Sequence, residues 1–112
     1  MFWKKRDNKV RDLTPEDVAR GLTEGTVLLV DVREPREFEV ERIPGAVLVP
    51  LSMFDPDQIP DPQDKQVVFL CAVGMRSAKA AELAQAAGHP YDSHLAGGIK
   101  AWKAAGLPTE HI

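Results

Sequence analysis

The chain holds a single cysteine, Cys71, followed by Ala72, Val73, Gly74, Met75, Arg76 and Ser77. A thiol acts as a nucleophile in its thiolate form, and helix N-termini and nearby cations lower its pKa. Both are within reach here. The apolar run at 66–70 reads as a buried strand that delivers the chain to Cys71, and an alanine-rich helix begins a few residues later. A strand, a tight loop and a helix start leave several amides without intrahelical partners, and such amides can converge on an anion. Gly74 supplies the backbone freedom that a convergent loop needs. Arg76 adds a fixed positive charge and can meet an oxyanion through two parallel hydrogen bonds. Leu70, not a histidine, precedes the cysteine. Activation therefore falls to the loop amides, the helix dipole and Arg76. A lone cysteine is often no more than a small buried hydrophobe. The glycine and arginine at the head of a helix favour the reactive reading over that one.

Other residues support this centre or stand apart from it. Asp31 and Arg33 lie at the end of another strand whose tip should be near Cys71; an ion pair or loop bracing is the simplest role, with a substrate contact for Arg33 as the alternative. Glu34 reads as a helix-start charge. Trp102 is at helical spacing from Ile99 and belongs to the core. His94 shortly precedes Gly97-Gly98 and could reach the mouth of a pocket, whereas His89 and His111 read as surface residues. The three histidines show no ligand spacing, so no metal site is expected.

The elements that must position these residues alternate between helix and strand, which indicates an α/β sheet. Thr14-Pro15-Glu16-Asp17 opens a helix to about Thr23, with Thr14 as cap and Gly25 as break. The run at 27–31 is aliphatic up to Asp31, as in a strand covered on both faces. Pro35 starts a short helix through about Val40, and Gly45 turns the chain into a second strand at 46–50, ended by Pro50. Residues 52–65, rich in proline and aspartate, form an irregular connection with room for one helical turn. The third strand is 66–70. The alanine-rich helix spans Ser77 to about Ala87, with Ala80, Leu83, Ala84 and Ala87 facing inward. A short strand at about 92–95 and a last helix at 99–105, stopped by Gly106 and Pro108, complete the chain. The expectation is five or so short, mostly parallel strands with helices on both faces. Ligands bind beyond the carboxyl ends of such strands.

With 112 residues there is room for one domain, expected over 9–112 with 1–8 as an N-terminal tail. The net charge of −3 and the lack of a basic block beyond Lys4, Lys5 and Arg6 argue against nucleic acid as a partner. No apolar run is long enough to span a membrane or to form a signal peptide, so the expected compartment is the cytoplasm. One cysteine allows no internal disulfide.

The same residues resemble the rhodanese family along nearly the whole chain. Asp31-Val32-Arg33, then Glu34 and a helix with Glu37-Phe38, is similar to the family's D-V-R signature, and Ile43-Pro44-Gly45-Ala46 to its I-P-G-A turn. Cys71 to Ser77 resembles its C-x-x-G-x-R-S active loop. Leu95-Ala96-Gly97-Gly98 with Trp102, and Gly106-Leu107-Pro108, resemble its closing segments. Arg42 stands where the family often has histidine, a position taken as structural. The resemblance implies a five-stranded parallel sheet and a sulfurtransferase in which Cys71 takes a sulfane sulfur from a donor such as thiosulfate. The persulfide, held by the amides of Ala72 to Arg76, passes its outer sulfur to cyanide, a thiol or a sulfur-accepting protein; no metal or organic cofactor is implied. Two other readings remain at this point. A related phosphatase or arsenate reductase uses a similar nest, but with five residues between cysteine and arginine instead of the four here. A non-catalytic module of the same fold commonly lacks the cysteine.

Overall fold

The computed structural model describes residues 9–111. Its elements follow from local chemistry. Thr14 caps α1 (Pro15–Glu24) by accepting from the Asp17 amide at 3.1 Å, while the Asp17 carboxylate accepts from the Thr14 amide at 3.2 Å. Gly25, at φ 75°, ends the helix in the left-handed conformation. Before α1 lies β1 (Arg11–Leu13) and after it β2 (Val27–Asp31), α2 (Pro35–Val40), β3 (Glu41–Arg42) and β4 (Val47–Leu48). Two turns of 3₁₀ helix, Leu51–Met53 and Pro56–Gln58, cross the proline-rich connection to β5 (Gln66–Leu70). Then come α3 (Met75–Ala86), β6 (Ser93–Leu95), α4 (Gly98–Ala104) and β7 (Glu110–His111).

Five strands form one parallel sheet in the order β1-β6-β5-β2-β4. Successive side chains of β5 point to opposite faces. Val67, Phe69 and Cys71 pack with Val30, Val32 and the Ala80, Ala81 and Ala84 face of α3. Val68 and Leu70 pack on the other side with Val18 of α1 and with Ile99 and Trp102 of α4. The sheet is thus covered on both faces, as its aliphatic strands require. Among the described residues no helix is long and apolar enough to cross a membrane.

The structure departs from the sequence-based expectation in four places. The strand expected over 46–50 is hydrogen-bonded only at Val47–Leu48. The alanine-rich helix starts at Met75, ahead of Ser77, so Arg76 stands in its first turn. Its buried face is Ser77, Ala80, Ala81 and Ala84, while Leu83 is 39% exposed and Ala87 is exposed as well. Ser77 is drawn inward by Cys71, and this sets the helix rotation; Leu83 then falls about 120° from it around the axis. Finally, β1 and the antiparallel β3–β7 pair add strands that were not anticipated. At two or three residues they are too short to carry a periodic pattern. The expected tail, 1–8, and its basic residues lie outside the described residues.

Candidate functional site

Cys71 is the first residue beyond β5, the central strand, and is 1% exposed. The Gly74 amide donates to its Sγ at 3.1 Å and the Ser77 amide at 3.2 Å. The Ser77 hydroxyl lies 3.5 Å from the same sulfur. Burial pushes the thiol pKa up, but the Ser77 hydroxyl and the amides of Ser77, Gly74 and Val73 outweigh it, and the net shift is downward.

The loop is held in this orientation from behind. The first amides of α4 take its carbonyls: Ile99 N–H donates to Cys71 O at 2.9 Å and Lys100 N–H to Ala72 O at 3.1 Å. With the carbonyls occupied there, the amides face the sulfur. Close approach of the two backbones explains the glycines. A Cβ on Gly98, which sits at φ 64°, would stand 2.5 Å from the Cys71 and Ala72 carbonyl oxygens. Gly74 is at φ 107°, and a Cβ there would meet the Gly97 amide at 3.1 Å.

Arg76, expected as an anion holder, stands in the first turn of α3. Its guanidinium forms a two-pronged pair with Glu37 of α2, at 2.8 and 3.1 Å. The Arg76 hydrogen bonds hold Glu37 well below the usual carboxylate range, at about 2. The pair joins α2 to α3. What remains on the outer rim is apolar, with Val73 54% and Met75 79% exposed.

Asp31 and Arg33 form a buried pair next to the loop. Arg33 donates to both Asp31 oxygens at 2.9–3.1 Å and to the Glu41 carbonyl at 2.7 Å. This is bracing geometry, with the guanidinium 6% exposed. Arg42 braces as well, through Phe38 O at 3.0 Å, Glu110 at 3.2 Å and the Phe38 ring. Trp102 is in the core, its indole N–H donating to Pro108 O at 2.8 Å.

His94 does not reach a pocket mouth. It is 6% exposed, behind the loop, with Nδ1 2.8 Å from Ser77 Oγ and Nε2 2.8 Å from Asp12 Oδ1. Ser77 and Asp12 are the site residues that sequence reasoning missed. Ser77 could have been suspected from its place at a helix start beside a cysteine loop. Asp12, on a three-residue strand, gives no such signal.

Fold and site together define a single α/β domain with a thiolate-stabilising loop at the carboxyl end of its parallel sheet. The chain belongs to the rhodanese-like domain family, whose model matches residues 14–105. A relative named sulfurtransferase, from Allochromatium vinosum, is 34% identical over 88% of this chain and 94% of its own. An uncharacterized Synechocystis protein, slr1261, is 41% identical over 87% of this chain. The Mycobacterium tuberculosis MoeZ, a probable adenylyltransferase/sulfurtransferase, is 39% identical over 80% of it. The chain spans only 54% of the Synechocystis relative and 24% of MoeZ. Among solved structures, Rhodopseudomonas palustris RPA3614, described as a possible tyrosine phosphatase, matches with TM-score 0.76 and 40% identity, over 90% of this chain and 85% of that one.

Proposed function

We propose that the protein is a sulfurtransferase that moves a sulfane sulfur from a donor such as thiosulfate to a thiol or cyanide acceptor through a persulfide on Cys71. One observation carries this reading: the Gly74 and Ser77 amides both point at Sγ, at 3.1 and 3.2 Å. Such a nest stabilises a sulfur anion without a charged side chain. The Cys71 thiolate attacks the outer sulfur of the donor. The donor's S–S bond breaks, and sulfite leaves with the bonding pair when thiosulfate is the donor. The acceptor then attacks the outer sulfur of the persulfide, and its departure regenerates the thiolate. Charge balances in both steps, and the loop faces an anion throughout. The amides of Ala72 to Arg76 are the proposed holders of the persulfide, with Asp31 and Arg33 bracing the neighbouring strand end. No metal or organic cofactor enters this chemistry.

The rim bears on the partners. Val73 and Met75 are exposed and Arg76 is paired with Glu37, so these rim residues offer a dianion no unpaired cation. Thiosulfate is therefore a weak surrogate for the natural donor in this reading, and a sulfur-accepting protein is a fitting acceptor. A free thiol of this kind suits the reducing cytoplasm. The expected tail at 1–8 is no part of the proposal.

The phosphatase reading has a named neighbour in RPA3614, but four residues between Cys71 and Arg76 make a small bowl. A phosphoryl group needs donors for three outer oxygens, whereas a persulfide presents one sulfur. Protein purified without reductant should show, by intact mass, the added mass of one sulfur that cyanide removes, and aryl phosphates should not be hydrolysed. Phosphate hydrolysis without any persulfide would overturn the assignment.

A further inference from the structure

Behind the amide nest, a line of polar groups runs from the sulfur to the sheet edge. Ser77 Oγ lies 3.5 Å from Cys71 Sγ and 2.8 Å from His94 Nδ1, and His94 Nε2 lies 2.8 Å from Asp12 Oδ1. Ser77 is fully buried, whereas the Asp12 side chain is 73% exposed. The line therefore connects a buried sulfur with water.

Donor counting fixes its direction. The Asp12 carboxylate only accepts, so Nε2 carries the proton shared with it, and Nδ1 is an acceptor whenever the ring holds that one proton alone. Ser77 has one hydroxyl proton. Nδ1 at 2.8 Å is nearer than the Gly74 carbonyl at 3.2 Å, so the hydroxyl donates to the ring and offers a lone pair to the Cys71 S–H. Little else faces His94. Its partner across β5 is Phe69, and Gly74 backs the ring from the loop. Among the described residues no charged side chain other than Asp12 is within ion-pair distance of it.

We infer that Asp12, His94 and Ser77 are positioning residues that draw the proton from Cys71 and leave its countercharge inside the protein. The S–H bond breaks and its proton passes to Ser77 Oγ, while the Ser77 O–H proton passes to His94 Nδ1. The sulfur keeps the electron pair as thiolate, and the imidazolium rests against the Asp12 carboxylate. The Ser77 hydroxyl then points the other way and donates to the sulfur. No atom is gained or lost, and no oxidant is required.

The inference rests on Cys71 being the nucleophile, yet its test reads ionisation of the thiol and not sulfur transfer. The pH profile of Cys71 alkylation by iodoacetamide is to be measured in wild type, Ser77→Ala, His94→Phe, the double variant and Asp12→Asn. Ser77→Ala and His94→Phe should each raise the midpoint by about one pH unit. The double variant should match Ser77→Ala alone, because His94 reaches the thiol only through the hydroxyl; independent structural effects would add. Asp12→Asn, at an exposed position, should raise the midpoint by less. An unchanged midpoint in His94→Phe, or additive shifts in the double variant, overturns the inference. If His94→Phe does not fold, Asp12→Asn decides, and an unchanged midpoint there has the same force. A normal coupling in a protein that never forms a persulfide would instead count against the sulfurtransferase reading alone.

Discussion

Cys71 sits under opposing influences, since burial disfavours its anion and the loop's donors favour it. The donors win, and two outcomes follow. Alkylation should plateau with a midpoint below the ordinary thiol value of about 8.5; a midpoint at that value would mean the amides do not act on the sulfur. Cys71→Ala should abolish transfer from thiosulfate to cyanide while circular dichroism stays that of wild type, because no second thiol can substitute. Glu37 and Arg76 make a prediction with a definite sign. Glu37 is depressed from 4.5 to about 2, so its contribution to stability is present above pH 4.5 and is lost as pH falls through about 2. Both side chains are about a third exposed, which limits the pair to about 1 kcal/mol. In Glu37→Gln the acid limb of a urea-unfolding stability curve should be shallower between those values. An unaltered limb would show that the pair contributes nothing. At this scale Cys71 and Gly74 were legible from residue type and spacing. The Arg76 partner was not, because Glu37 lies 39 positions away and only the docking of α2 on α3 brings them together.

At the scale of elements, the loop depends on α4 lying against it. Gly98→Ala would put a methyl 2.5 Å from two carbonyl oxygens, neither of which can move without releasing an α4 amide. Left-handed backbone and overpacking together should cost about 2–4 kcal/mol in urea unfolding. A loss of a few tenths would show that the loop and α4 separate easily. The long elements were readable because several signals agree within each. Thr14, Pro15 and Asp17 mark the start of α1, and Gly25 its end. The rotation of α3 was not readable: an alanine-rich helix has an inner face under several phases, and the choice is made by the hydrogen bonds of Ser77 with Cys71.

At the scale of the whole molecule, the Asp31–Arg33 pair is an ion pair among the described residues with both side chains buried, and it lies beside the central strands. Removing one partner strands the other in the interior. Asp31→Asn should cost about 3–5 kcal/mol in chemical denaturation, and a loss below 1 kcal/mol would mean that water reaches Arg33. The parallel order of the sheet was foreseeable from aliphatic strands alternating with helices. The edge was not, since β1 has three residues and is recognised only by its pairing with β6.

That edge ties the site to the most peripheral end of the sheet. Asp12 belongs to a three-residue strand with a single neighbour among the described residues, while the amide nest grows out of the middle of the sheet. Peripheral segments with few buried contacts open at a small fraction of the free energy of global unfolding. Under the inferred proton relay, fraying of β1 would withdraw Asp12 from His94 while the nest stays shut, and the acidity of the thiol would follow the breathing of a strand that touches no sulfur. Hydrogen exchange at the amides bonded to β1, such as that of Ala96, should run ahead of exchange at Val68. Mild heating that quickens the first without the second should slow alkylation of Cys71 relative to a model thiol, well before the domain melts.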